Sequence, residues 1–204
     1  MLRAGNLIAM LHAETGIDAT ELALKARRLR EAGLFVRETR SPASPRATFR
    51  QAANLLVMIL SDAPALYAEK TIRRAEALTN NDTKHAQHNE RAGTDFDIFK
   101  KQETSFVDAL AFLIEKAAGN PDWFAHAYRQ TFIEFEPLSF SASIHLHVLG
   151  PGPLGGVVLF DSLLHFFDQR NELTSSAPLS FRRTTRLEAP LLRAIGSEFA
   201  RQDG

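Results

Sequence analysis

The spacing of apolar residues changes along this chain, and the change limits the folds that it can adopt. Over the first 78 residues, apolar side chains recur every three or four positions, as they do along one side of a helix. Between Leu138 and Val148 they recur at every second position, as they do on one side of a β-strand. We therefore predict an α+β protein, with an N-terminal all-helical part and a small C-terminal antiparallel sheet flanked by helices.

A polar stretch separates these two parts. Residues 80–90 contain almost no apolar side chain, which is typical of a connecting segment. The charge balance also changes sign there: residues 1–78 contain 12 Lys and Arg against 8 Asp and Glu, whereas residues 79–204 contain 12 against 16. We predict a helical domain over 1–78, a polar linker over 79–102 and an α+β interaction domain over 103–204.

The helical domain begins with two helices that are separated by a short break. Gly16 can adopt the positive φ that ends a helix. Asp18 can cap the following helix, with Glu21 at the capping-box position three residues later. This second helix is predicted over residues 19–32, and Gly33 ends it. A glycine turn of this kind lets two helices cross steeply, as in a helix-turn-helix unit.

A third helix is predicted over residues 49–61. Thr48 is its expected N-cap and Gln51 occupies the capping-box position. The helix is apolar almost all round, which is typical of a helix that is buried on most sides. We therefore expect it to be the central packing helix of the first domain.

The second helix and the segment after it are strongly basic. Eight basic residues and two acidic ones lie between Leu22 and Arg50, and such a cluster creates a positive field that attracts phosphate. We expect Lys25 and Arg28 to contact bases in the major groove, because Lys and Arg can bind guanine edges. The full set of predicted DNA-binding residues is Thr20, Glu21, Lys25, Arg27, Arg28, Arg37, Arg40, Arg46 and Arg50.

The segment from Thr15 to Leu34 resembles the DNA-binding segment of bacterial helix-turn-helix and winged-helix regulators. Together with residues 48–56, it is loosely similar to uncharacterised phage and prophage proteins of proteobacteria. The first resemblance implies a sequence-specific transcriptional regulator that binds double-stranded DNA, with the second helix in the major groove. Residues 34–47 lack two alternating strands around a glycine turn, so the resemblance does not extend to a wing.

The second part contains titratable residues but no recognisable catalytic arrangement. His145 and His147 share one face of a predicted strand, as do Glu134 and Glu136, and His165 follows. The apolar residues that alternate with His145 and His147 would face the core. We therefore expect these two histidines to lie on the solvent face of the strand, without a bound metal. The chain has no cysteine, which excludes a cysteine nucleophile and thiolate metal sites. We expect no cofactor and no catalytic activity.

The partners follow from these predictions. One recognition helix covers few base pairs, so we expect a homodimer that forms through residues 103–204. Its apolar surface would be provided by Trp123, Phe124, Phe166, Phe167 and the alternating strand from Leu138 to Val148. The run from Leu163 to Phe167 would be either a buried helical turn or part of this exposed patch. No signal peptide or membrane-spanning segment is recognised, which predicts a cytoplasmic protein without a membrane partner.

A different function remains open at this stage. The two N-terminal helices can also form a packed hairpin that binds no DNA, because helix pairs with a glycine turn are common. The chain would then be a phage-type protein-interaction adaptor, or a DNA-packaging factor, that acts on host or phage machinery without catalysis.

Overall fold

The computed structural model describes residues 3–36, 46–80, 87–88, 104–150, 157–167 and 185–201. It confirms the α+β class. The helices are α1 (Ala4–Thr15), α2 (Ala19–Glu31), α3 (Phe49–Leu60), α4 (Ala68–Ala77), α5 (Phe106–Gly119), α6 (Pro121–Ala127) and α7 (Ala189–Arg201), with a short 3-10 helix (Ala65–Tyr67) before α4. The strands are β1 (Thr79–Asn80), β2 (Gln87–His88), β3 (Phe132–Glu136), β4 (Ser141–Gly150), β5 (Val157–Phe167) and β6 (Thr185–Glu188).

Local sequence signals mark the starts of α3 and α7. Thr48 and Gln51 form a complete capping box at the start of α3, with each side chain bonded to the other residue's backbone N–H. Pro190 lies in the first turn of α7, where its missing N–H leaves no helical hydrogen bond unmade. These caps satisfy backbone groups that a helix end otherwise leaves unpaired.

Helix α3 is buried on most of its surface, as its composition predicts. Eight of its twelve residues are buried, and α3 contacts α2, α4 and α5. It is therefore central to the whole molecule and not only to the first predicted domain. The rings of Phe49 on α3 and Phe199 on α7 lie 4.7 Å apart and extend this packing to the C-terminal helix.

The described strands form one antiparallel sheet in the order β1, β5, β4, β3, β6, and β2 pairs with β5 beside β1. The predicted alternation is confirmed in β4, where Ala142, Ile144, Leu146 and Val148 are buried. The predicted break at Pro137 is a four-residue turn that ends at Phe140. Helix α5 covers the apolar face, because the ring of Phe106 lies 5.5 to 5.8 Å from the rings of two sheet phenylalanines.

One assignment in the C-terminal part needs correction. The run from Leu163 to Phe167 is not a helical turn, since it belongs to β5, where residues 163–166 pair with β4 and Phe167 pairs with β1. Leu164 and Phe166 point into the core, whereas His165 between them is exposed. The predicted strand around Leu187 is confirmed from Thr185 onward, and its earlier part lies outside the described residues.

The predicted linker departs most from expectation. Residues 79–80 and 87–88 are strands that pair with β5, because the backbone of an edge strand can pair whatever the polarity of the side chains. The N–H of Phe106 donates to the carbonyl of Leu78 at 2.9 Å, so the residues on either side of the segment lie next to each other. The helices before and after the segment contribute to one continuous apolar core. The two predicted domains are therefore packed on each other.

Candidate nucleic-acid interface

The first two helices form a hairpin around a three-residue turn. Gly16 has a φ of 70° and its N–H donates to the carbonyl of His12, which ends α1 in the left-handed conformation expected of a glycine. The hydroxyl of Thr15 donates to the carbonyl of Leu11 at 2.6 Å. Ile17 is half-buried and packs against the core. These hydrogen bonds and the packing of Ile17 fix the geometry of the turn, and they therefore set the direction in which α2 begins.

Asp18 caps α2 as predicted. Its carboxylate accepts hydrogen bonds from the backbone N–H groups of Thr20 and Glu21 at 2.8 and 3.3 Å. The pKa of Asp18 is lowered, chiefly by a hydrogen bond from the Thr20 hydroxyl and then by these two backbone groups. The amide groups that a helix N-terminus could offer to a phosphate are therefore already bonded to a carboxylate of the chain itself. Although Thr20 is exposed, its hydroxyl and its backbone N–H are both bonded to the capping residue Asp18.

The solvent face of α2 contains the predicted arginines. The side chains of Arg27 and Arg28 are 70% and 44% exposed, and both bond to Glu31, at 2.9 and 2.8 Å. These hydrogen bonds, that from Arg27 first, lower the pKa of Glu31. Ion pairs at an exposed surface add little stability. A phosphate can therefore replace Glu31 as the partner of either arginine at small cost.

Lys25 does not belong to this face, and its assignment as a groove contact is wrong. The side chain is buried, and its ammonium group donates to the carbonyls of Met58 at 3.2 Å and Ala63 at 2.6 Å. Glu21 lies 3.4 Å from the same nitrogen. Met58 lies near the C-terminus of α3, where unpaired carbonyls and the helix dipole favour a positive charge. Through these hydrogen bonds, Lys25 links α2 to the C-terminal end of α3.

Arg50 differs from the arginines of α2 in its partners. Its side chain is 47% exposed, and its guanidinium bonds to Glu76 on α4 at 2.9 Å and to Asp108 on α5. Because these two carboxylates belong to two other helices, Arg50 links three helices, and it is a weaker candidate for a phosphate contact than Arg27 or Arg28. Of the three arginines predicted to bind DNA from the segment between α2 and α3, Arg46 is exposed, whereas Arg37 and Arg40 lie outside the described residues.

The structure also shows an exposed apolar residue that the predicted set left out. Leu24 is 47% exposed and lies one turn after Thr20 and one turn before Arg28 on the solvent face. The signal was present in the sequence, because Leu24 is out of phase with the buried stripe of Leu22, Ala26 and Leu29. Leu66 and Tyr67, on the 3-10 helix that contacts α2, are exposed as well.

The second group of polar residues lies on the solvent face of the sheet. The ring of Phe132 stacks on the imidazole of His145 at 4.0 Å, and the guanidinium of Arg186 lies 3.6 Å from its centroid. Glu134 is 3.7 Å from His145 and 3.9 Å from Arg186. Burial is the largest cause that lowers the pKa of His145, against the opposing effect of Glu134. The lowered pKa favours the neutral form of the imidazole.

The side chains of this second group pack against one another across three neighbouring strands. Both flanks of the Phe132 ring are in contact with neighbours from β4 and β6, since Arg186 and His145 lie on the strands on either side. His145 and His147 lie on the half-exposed face, as predicted. Among the residues whose positions the structure describes, no three His, Asp or Glu side chains come together as they would around a metal ion.

Comparison with known proteins gave no matching family model, no similar curated protein and no similar solved structure. Within the described ranges, no helix has both the length and the apolar character needed to cross a bilayer.

Proposed function

We propose that this protein binds double-stranded DNA in a sequence-specific manner and acts as a bacterial or phage transcriptional regulator without catalytic activity. The observation that carries the proposal is the position of α2. One stripe of this helix is buried, and the opposite stripe presents Thr20, Leu24, Arg27 and Arg28 to solvent. A recognition helix needs this arrangement to enter a major groove. A cytoplasmic location is part of the same proposal, because the DNA to be regulated lies there.

The proposal assigns a role to each basic residue, from the described contacts where they exist and otherwise from the sequence. Arg27 and Arg28 can exchange Glu31 for phosphate or for guanine edges. Arg46, with Arg37 and Arg40 of the same basic segment, would bind the sugar-phosphate backbone and add affinity without sequence preference. Lys25 has a structural role, in that it holds the reading helix in place on α3.

The first test compares two arginine pairs. Arg27→Ala/Arg28→Ala should weaken duplex binding about tenfold or more and reduce the slope of log affinity against log salt by about 2, because each lost phosphate contact releases about one counterion fewer. Fluorescence polarisation across a salt series measures both quantities. The matched control is Arg193→Ala/Arg201→Ala on α7, which removes the same charge from two exposed side chains that are also ion-paired.

Two results would count against the proposal. One is the absence of duplex binding by the unmodified protein at low salt. The other is an equal loss of affinity in the α7 control, which would show that only net charge matters.

A protein-interaction adaptor is the second candidate, and one observation favours it. Leu66 and Tyr67 are both exposed on the 3-10 helix that contacts α2, and adjacent exposed apolar residues can form part of a protein interaction site. If the unmodified chain binds no duplex at low salt, Leu66→Ser/Tyr67→Ser in a partner-capture experiment becomes the relevant comparison.

A homodimer forms part of the proposal, but two of the residues predicted for its surface have to be left out. Phe124 and Phe166 are buried in the core of the chain itself, so they cannot form a dimer surface. Strand β6 lies at the end of the described sheet order, and a sheet edge can pair across a two-fold axis. We expect the full chain to have twice its 22.7 kDa mass in multi-angle light scattering at micromolar concentration. A monomeric mass in the presence of a bound operator would contradict this expectation.

A further inference from the structure

Leu24 lies on the exposed stripe of α2 and belongs neither to the apolar core nor to the residues packed against it. The buried stripe of the helix consists of Leu22, Lys25, Ala26 and Leu29, and Leu24 projects away from it with 47% of its surface exposed. Its neighbours one turn away on the same face are Thr20 and Arg28. A leucine in this position does not stabilise the core, and a polar residue would be better solvated there.

We infer that Leu24 reads the 5-methyl group of thymine in the major groove. This inference rests on the proposed function and names the base that the site prefers. The methyl group of thymine is the apolar feature that the major groove presents, and apolar side chains of different sizes contact it in protein–DNA complexes. Leu24 is the large apolar side chain on the exposed stripe of α2.

The charges around Leu24 favour DNA over an apolar protein surface as its partner. Arg27 and Arg28 follow it by three and four residues, and both are exposed. A groove wall provides phosphates for the arginines and a methyl-bearing base edge between them. Glu21, on the side of α2 that faces Lys25, bonds to that lysine and so does not leave an unpaired carboxylate beside the groove.

The test removes the methyl group and nothing else. Duplexes that the full-length protein enriches from a random pool define the preferred site, and each thymine in it is then replaced by deoxyuridine. The unmodified protein should bind at least one such duplex about fourfold more weakly, which corresponds to the burial of one methyl group. Leu24→Ala should bind the thymine and deoxyuridine duplexes equally.

A matched control and the opposing results complete the design. Leu138→Ala changes a leucine of similar exposure, 66%, at the turn before β4, and it should retain the fourfold difference. Because Leu24 is exposed and alanine favours the helix, the circular dichroism melting curve of Leu24→Ala should match that of the unmodified protein. If no duplex is enriched, the proposed function itself fails. If duplexes are enriched but no deoxyuridine position matters, or if Leu24→Ala keeps the same difference, the inference about Leu24 is overturned while DNA binding stands.

Discussion

Gly196→Ala should destabilise this protein more than almost any other single-methyl change, although alanine is the better helix former. Helix α7 crosses α5 at Gly196, and a Cβ atom at this position would lie 2.5 Å from the Cβ of Ala117 and 2.7 Å from the backbone nitrogen of Ala118. Backbone atoms cannot rotate away as a side chain can, so the two helices would have to separate. We expect the free energy of unfolding to fall by about 3 kcal/mol, at the upper end of the range for overpacking.

Urea denaturation measures this loss, and Gly119→Ala is its control. Gly119 is also helical, but a Cβ there meets nothing within 4 Å. Gly119→Ala should therefore leave stability unchanged or raise it by up to about 1 kcal/mol, through the difference in helix propensity alone. In thermal melts Gly196→Ala should lower the Tm by roughly 5–10 °C. Equal stability of the two variants would mean that α5 and α7 do not cross closely at this point.

Lys25→Ala is the second substitution with a large expected effect. It removes the donor for the carbonyls of Met58 and Ala63 and the cation beside Glu21, and it leaves a gap where the lysine side chain packs. Unpaired buried acceptors cost about 1–3 kcal/mol each, and the carbonyls can recover part of this from water. We expect a net loss of about 3 kcal/mol in the free energy of unfolding.

Two further variants separate the causes of this loss. Lys25→Met keeps most of the side-chain volume but not the donor, so any stability it recovers relative to Lys25→Ala is due to packing. Lys70→Ala removes an exposed lysine on α4 and should change stability by no more than about 0.5 kcal/mol. If Lys25→Ala stays as stable as the unmodified protein and instead loses discrimination between DNA sites, Lys25 would be a groove residue after all.

Several features of the chain were predictable because a few neighbouring residues decide them. Gly16 and Asp18 end one helix and start the next through hydrogen bonds that span fewer than five residues. The same holds for Thr48 and Gln51 at the start of α3. The alternation in β4 also predicted which residues are buried, because successive side chains of a strand point to opposite faces. The order and type of most elements follow from such local rules.

The candidate site was only partly predictable. Arg27 and Arg28 lie at the surface, as their charge suggests. Lys25 has the same kind of charge, but it sits at the edge of the apolar stripe of α2. Its burial depends on the carbonyls of Met58 and Ala63, which are 33 and 38 residues away in sequence. No pattern within α2 could indicate that these acceptors would be present.

By itself, the sequence determined the α+β class, the helix caps, the buried face of β4 and the exposed arginines of α2. Only the tertiary structure decided that Lys25 and Arg50 bind other helices, that β1 and β2 complete the edge of β5, and that Gly196 must lack a side chain. The physical reason is the distance along the chain. Caps and periodicity arise within one or two turns of backbone, whereas an ion pair, a strand partner or a close helix crossing exists only once distant segments have come together.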